Sequence, residues 1–573
     1  YKRAISLFVT RIAEESICSV FSPCFTVRYQ CNCSTCRHLS ESPVREIMQH
    51  FTPLSMRFLA RRLQRFLWVF PVLMFVFLAY RLLTTESTHP LRQSPKLGLH
   101  QDSAAQEASN NQKFPPPTAG AAAKDILLHR RDKMPLIVHL DLKGAPPKFA
   151  YLREFLPFLK RLGAGGLLVE YEDTFPYSGR LEVLRSPQFS YSKEEINELV
   201  QLAHSLDLSI IPLVQTYGHM EFVLKHPEFA SLREEPKNDW SVCPLRDDTI
   251  SVLKEMVDQV MALHPHTKYV HIGGDEVDNM GHCSACRQFI SQHSRVDLYR
   301  FHLLNIMQYI ASRWPHVRSL FWDDMIRGWD VEHLKTFAQY GDPMVWGYID
   351  HVERLITPAL LKKFASVFPR VWPASSFKGS GGKDIDWVPV QHHINNHYSW
   401  NRLIEHGLTS VDSIGGFVLT GWSRYMHHFA LCELMPSAIP SLALCLAVAS
   451  EHTQQLASDQ HTQLSSALGF PQKIPIRNEP HFSDNADGLS FPGSGVYSII
   501  FRQAFLLAEY SQVRQIFDGK ERARASEVLS KKAVKLMEDA EAELGKIYPP
   551  SVVREWLSTK LSHVLRGLQV NTQ

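Results

Sequence analysis

Eight short apolar runs, separated by stretches long enough for helices, constrain this chain more than any other feature. They are Leu136–Leu142, Gly166–Tyr171, Ser209–Gln215, Lys268–Gly273, Val317–Trp322, Pro343–Tyr348, Pro369–Pro373 and Gly415–Trp422. Strands covered by helices on both faces read as near-continuous apolar runs, because neither face meets water. The intervening stretches have helix signals. Ser192-Lys193-Glu194-Glu195 forms a capping box ahead of Ile196, Leu199, Val200 and Ala203, which share one helical face. Ile250, Leu253, Val257 and Val260 repeat the period before the fourth run. Alternating units over residues 135–450 predict an α/β fold of the (β/α)8 TIM-barrel type. A doubly wound open sheet is the alternative, but no G-x-G-x-x-G follows the first run and no P-loop occurs, so the barrel is preferred.

The totals agree with a globular protein. Of 573 residues, 45% are apolar and 21% charged, enough for a large core. A formal net charge of +3 gives no electrostatic reason to expect nucleic acid as a partner. Five cysteines lie at positions 18, 24, 31, 33 and 36. Cys243, Cys283, Cys286, Cys432 and Cys445 lie in the globular part, and that odd number leaves the redox compartment open.

The regions flanking the barrel have different compositions. Residues 1–55 read as an unstructured or artefactual leader, since Cys31, Cys33 and Cys36 lack the second half of a paired metal-binding set. Within residues 56–83, four arginines (Arg57, Arg61, Arg62, Arg65) precede an unbroken apolar run from Phe66 to Tyr80 that continues past Arg81 to Leu83. Residues 66–83 are just long enough to span a bilayer, and the arginines would stay on the cytoplasmic side. A signal anchor is therefore expected in preference to a cleaved signal peptide or a buried helix. Residues 84–134, rich in Ser, Gln, Pro and Ala, cannot bury enough surface to fold and read as a stem. This arrangement predicts a single-pass type II membrane protein with a lumenal head. The alternative is cytoplasm and nucleus, because the lone N-x-S/T sequon, Asn32-Cys33-Ser34, lies on the predicted cytoplasmic side. In residues 451–573, the part up to Gly488 reads as polar loop. Residues 497–570 read as helices, as in Ala533, Met537, Ala540 and Leu544.

Barrel chemistry gathers where the strands end. The fourth run ends on His271-Ile272-Gly273-Gly274-Asp275-Glu276-Val277, and a turn there can bring both acids to one cavity. Adjacent acids alone prove little, since Asp247-Asp248 and Glu194-Glu195 read as helix starts. The other ends place Asp141, Lys143, Glu170, Gln215, His219, Asp324, Tyr348 and Tyr425 around the same mouth. Trp322, Trp346, Trp372 and Trp422 stand at or near the last four ends. Large flat apolar faces among carboxylates suit a pyranose, although core packing accounts for any single tryptophan.

The motif His271-Ile272-Gly273-Gly274-Asp275-Glu276 resembles the catalytic motif of the family-20 glycoside hydrolases, the β-N-acetylhexosaminidases. Leu140-Asp141-Leu142-Lys143-Gly144-Ala145-Pro146, Val214-Gln215-Thr216-Tyr217-Gly218-His219-Met220-Glu221 and Leu419-Thr420-Gly421-Trp422 extend the likeness from about Leu136 to Ser450. The resemblance implies a retaining, substrate-assisted exo-hydrolase of terminal β-linked N-acetylgalactosamine or N-acetylglucosamine on glycans or glycoconjugates. Glu276 would be the acid and base, and Asp275 would hold the acetamido group. It also implies a sugar subsite walled by Trp322, Trp346 and Trp422, with His219 behind the acids and Asp324 and Glu170 as hydroxyl or network partners. Tyr425 or Tyr348 would stand in for a tyrosine missing beside Trp372. No cofactor and no metal is required. Lys143, and Ser423-Arg424 after Trp422, depart from the family pattern and leave sugar preference open. His282-Cys283-Ser284-Ala285-Cys286 reads as a free-thiol pair or local disulfide rather than a zinc site. A catalytically silent glycan-binding barrel is the alternative function, but it would have no use for the acid at Glu276.

Overall fold

The computed structural model describes residues 134–570, apart from 384, 409, 452, 453 and 485. The predicted leader, the anchor at residues 66–83 and the stem up to residue 133 lie outside the described residues. Among the described residues no helix is long and apolar enough to cross a membrane.

Ten strands are described: β1 (Leu136–Asp141), β2 (Gly166–Glu170), β3 (Ser209–Leu213), β4 (Arg233–Glu235), β5 (Asn238–Val242), β6 (Tyr269–His271), β7 (Arg318–Trp322), β8 (Gly341–Trp346), β9 (Trp372–Lys378) and β10 (Phe417–Gly421). Eight of them close into a parallel barrel in the order β1-β10-β9-β8-β7-β6-β3-β2, while β4 and β5 form a separate antiparallel hairpin. Side chains alternate along each strand, so one set fills the barrel and the other meets the helices. Ile137, Leu168, Ile211, Leu320, Met344 and Val418 are among those that pack the interior. Val138, Leu167 and Val169 join the outer core with Phe155 and Leu159 of helix Phe149–Arg161 and Leu199 of helix Lys193–Ser205. The capping box of the latter is formed, with Ser192 accepting from the Glu195 N–H and Glu195 accepting from the Ser192 N–H.

The seventh barrel strand differs from the sequence expectation. It runs from Trp372 to Lys378 instead of ending at Pro373, so Trp372 begins the strand at the far end of the barrel. Its ring meets Tyr269, at the start of β6, edge-on at 4.9 Å, and it belongs to the packed interior. The strand was hidden by its polar residues. Ser375 and Ser376 face helix Val390–Gly407, where His397, His393 and Asn396 bond them, so buried polar groups replace the apolar pattern.

Past the barrel, the stretch expected to be loop contains helix Ser458–Ala467. Helices Ser494–Arg514, Gly519–Ile547, Pro550–Lys560 and Ser562–Val570 follow, the second burying Ala533, Ala540 and Leu544 as its period predicts. They pack on the barrel: the Lys148 N–H donates to Ile547 O at 2.6 Å, and Tyr151 bonds Pro492 O at 3.2 Å.

Candidate active site

β6 stops at His271, and the chain then turns sharply. Gly273 (φ 68°), Gly274 (φ 93°) and Glu276 (φ 47°) all take left-handed backbone, which is free for glycine and strained for a glutamate. Four bonds hold the turn. Thr216 Oγ1 donates to Ile272 O at 2.6 Å, and Tyr299 OH to Gly274 O at 2.7 Å. The Glu276 N–H donates to Asp324 Oδ2 at 2.9 Å, and Trp240 Nε1 donates to Glu276 O at 2.8 Å. Asp275 and Glu276 thus face one cavity instead of opposite faces of a strand.

His219 (φ 53°), on the loop after β3, joins the two acids. Its Nε2 lies 3.2 Å from Asp275 Oδ2 and 3.5 Å from Glu276 Oε2. Burial opposes the imidazolium, but the charge and hydrogen bond of Asp275, followed by the charge of Glu276, outweigh it and lift His219 to about 10. Glu276, whose side chain is 39% exposed, is raised above the usual carboxylate range, first by desolvation. The positive charge of His219 opposes that rise, while the negative charges of Asp275 and Asp278 add to it. Asp275 is 7% exposed, and its Oδ1 has no hydrogen-bond partner among the described residues.

The cavity in front of the acids has a volume of about 200 Å³ and is walled by Trp322, Trp346 and Trp422, with Tyr348 between the last two. Trp346 is clamped: its Nε1 donates to Asp324 Oδ1 at 3.1 Å, and the Arg327 guanidinium sits 5.1 Å from its ring while pairing with Asp323. Tyr425 stands at the rim, 37% exposed. Gln215, Lys143, Ser380 and Arg424 supply polar groups to the lining. Among the described residues, Asp275 and Glu276 are the only carboxylates that line it.

The two residues expected as hydroxyl or network partners stand behind the lining, in the supporting network. Glu170 is fully buried beneath the floor, bonded by Gln215 Nε2 at 3.0 Å and by His139 at 3.2 Å. Burial opposes its charge, but Lys143 and His139 hold its pKa low. It orients Gln215, which does line the cavity. Asp324 supports the Glu276 amide and Trp346 from behind, and burial followed by the charge of Asp275 raises it to about 7. Trp372, counted in the expected ring of indoles, belongs to the opposite mouth. His271 is an interior ring 4.4 Å from Trp322, pushed down to about 3 by burial and therefore neutral. Cys283 and Cys286 form no disulfide, since both are free.

Trp240 escaped the sequence reading. It lies on β5, its ring centroid 4.3 Å from that of His219. Arg424 was noted only as a departure, yet it lines the cavity and is held by both carboxylate oxygens of Glu555 at 2.6 Å.

The family model described as "Glycosyl hydrolase family 20, catalytic domain" matches residues 164–353, a span that includes both acids and the strand ends from β2 to β8. Hexosaminidase D of Homo sapiens is 36% identical over 466 residues, covering 76% of this chain and 93% of that protein. The chain belongs to glycosyl hydrolase family 20, the β-N-acetylhexosaminidases. Hexosaminidase D of Bos taurus is 42% identical over 315 residues, covering 54% of this chain and 90% of the relative. A solved chitobiase of Flavobacterium johnsoniae aligns over 77% of this chain and 72% of its own, at 15% identity and a TM-score of 0.47. Within this family-20 chain the motif ending in Asp275-Glu276 lines the tryptophan-walled cavity.

Proposed function

We propose that this family-20 enzyme is a retaining exo-β-N-acetylhexosaminidase that removes terminal β-linked N-acetylgalactosamine or N-acetylglucosamine through an oxazolinium intermediate. The observation that carries the reading is the divided carboxylate of Asp275: Oδ2 is taken by His219, while Oδ1 is buried and unpartnered beside Glu276. A buried acceptor without a donor is costly, and an acetamido N–H entering the cavity would satisfy it. Held there, the acetamido oxygen is aimed at the anomeric carbon. The substrate then supplies the nucleophile, one of the known exceptions to the scheme of two separated carboxylates. A lining in which, among the described residues, the adjacent pair supplies the only carboxylates fits that route.

Glu276 acts as the acid, its carboxyl raised above the usual range by desolvation, and gives its proton to the leaving oxygen as the C–O bond breaks. Positive charge grows on the acetamido nitrogen, opposite Asp275. Glu276, now a carboxylate beside the His219 imidazolium, takes a proton from the water that opens the ring. The indoles of Trp346 and Trp422 supply faces for the C–H side of the sugar.

Glu276→Gln lowers turnover of aryl N-acetyl-β-hexosaminides by about 10²–10⁴-fold while retaining sugar binding. Proton NMR of the first product should detect the β-anomer. Wild-type protein inert on both gluco- and galacto-configured substrates, or an initial α-anomer, would overturn the proposal. We also propose that residues 66–83 anchor the chain with a lumenal head; protease digestion of the head in intact microsomes would place it in the cytoplasm instead.

A further inference from the structure

Behind the acid loop, three cysteines and a glutamate from separate parts of the chain meet. Cys243, one residue past β5, has its Sγ 3.5 Å from the Sγ of Cys283 and 3.5 Å from the Sγ of Cys286. The Cys286 Sγ lies 3.3 Å from Oε2 of Glu234, on β4. One ligand atom from each of the four residues falls within 4.8 Å of every other. We propose that Cys243, Cys283, Cys286 and Glu234 hold a structural zinc ion in a tetrahedral S₃O site that staples the β4–β5 hairpin to the loop behind Asp275 and Glu276.

The spacing fits that ion. Zinc bonds of about 2.3 Å to sulfur and about 2.0–2.2 Å to oxygen, at tetrahedral angles, put ligand atoms roughly 3.5–3.8 Å apart. Three of the ligand pairs, at 3.3–3.5 Å, need only a slight expansion to admit the ion, and the others lie within 4.8 Å. A disulfide would use two of the three thiols and leave the third against a carboxylate. Glu234 is 1% exposed, and among the described residues no basic side chain lies within ion-pairing distance of it. Its Oε1 accepts the Cys283 N–H at 2.9 Å. A buried carboxylate touching a thiol, with no ion-pair partner among the described residues, is an arrangement that a divalent metal would complete.

Cys283 also caps helix Ser284–Gln292, its Sγ accepting the Cys286 N–H at 3.3 Å, so the helix start fixes where that sulfur sits. Three sulfur ligands select zinc over magnesium or calcium, and a closed set of four protein ligands marks a structural rather than a catalytic ion. His282, which the sequence offers as a ligand, instead pairs with Glu235.

The staple has a mechanical consequence, which rests on the catalytic reading of Glu276, whereas the metal itself does not. Trp240 lies three residues before Cys243 and bonds the Glu276 carbonyl. The hairpin also grips the His219 loop through Met220 N to Trp240 O at 2.9 Å and Val242 N to Tyr217 O at 3.1 Å. Fixing Cys243 therefore fixes the elements that position both His219 and Glu276.

The test is metal content of the untagged full chain, purified without added metal or chelator and measured by inductively coupled plasma mass spectrometry. One zinc per chain is expected. Cys243→Ser and Cys283→Ser should each lower zinc occupancy at least roughly tenfold, and Cys432→Ser should leave it unchanged. Cobalt exchanged into the wild-type chain should give a thiolate-to-cobalt charge-transfer band and tetrahedral d–d bands, a readout that needs no variant to fold. Chelator treatment should lower kcat, and zinc should restore it. Zinc-free protein with a Cys243–Cys283 or Cys243–Cys286 disulfide in peptide mapping would overturn the proposal, as would undiminished zinc in folded Cys243→Ser. These results stand whether or not the chain hydrolyses a given sugar.

Discussion

The indole Nε1 of Trp240 donates to the backbone carbonyl of Glu276 at 2.8 Å, and the same ring packs on His219. One side chain on a two-stranded insertion therefore braces both the acid and the imidazole beside it. Trp240→Phe keeps the ring and deletes the donor. The loss of one hydrogen bond, ~1 kcal/mol, should lower kcat about fivefold to tenfold with KM little changed. Steady-state kinetics on an aryl N-acetyl-β-hexosaminide reads the split. A kcat within experimental error of wild type would mean the Glu276 peptide is held without this bond.

Protonation of His219 couples the site to pH. Its folded pKa of about 10 lies above the ordinary histidine value of about 6.5, so the stability it contributes is complete below about 6.5 and is lost as pH rises toward 10. His219→Asn removes that contribution, and urea titrations across this window should give a flatter stability profile than wild type. The variant also removes the positive charge that opposes the raised pKa of Glu276, so Glu276 should hold its proton to higher pH. The basic limb of kcat/KM should then move to higher pH. A limb that stays put would show that the imidazolium does not govern the acid.

Much of the site was legible because its signal is local. The motif His271 to Glu276 carries a strand end, a turn and both acids in six consecutive residues, and Trp322, Trp346 and Trp422 sit at or near the ends of their apolar runs. What was missed depends on contacts distant in sequence. Trp240 acts through a carbonyl 36 residues away, from a hairpin too short and polar to stand out. Cys243 meets Cys283 across 40 residues, with no spacing rule to pair them. Trp372 was placed at the wrong mouth because serines and a lysine continue its strand, satisfied by a helix that sequence periodicity does not connect to them.

The C-terminal helices, whose role the sequence left unreadable, reach the cavity through one ion pair. Glu555 holds Arg424 with both carboxylate oxygens, and Arg424 lines the cavity in front of the acids. Glu555→Gln weakens a partly buried charge-assisted contact, one guanidinium nitrogen against two carboxylate oxygens, worth about 1.5–3 kcal/mol. Part of that should appear as a KM increase of about tenfold, with kcat changed less, because Arg424 is released from its pose while the acids are untouched. Equal KM for variant and wild type would assign the pair to stability alone.

Gly218 offers the sharpest separation between fold and chemistry. A Cβ there would lie 2.3 Å from the carbonyl oxygen of Asp275, so the His219 loop and the acid loop touch backbone to backbone and neither contact atom is a flexible side-chain end. Gly218→Ala must push the two loops apart. His219 then leaves Asp275, and the Asp275 carboxylate turns with its peptide. A displacement of roughly 1 Å at reacting groups costs about 10²-fold in rate, while the barrel strands beneath keep their register. The expected outcome is a kcat lower by about that factor, with circular dichroism unchanged and a thermal midpoint lowered by only a few degrees. If activity persists, the loops tolerate separation, and the close approach of His219 to the acid pair is not what sets the rate.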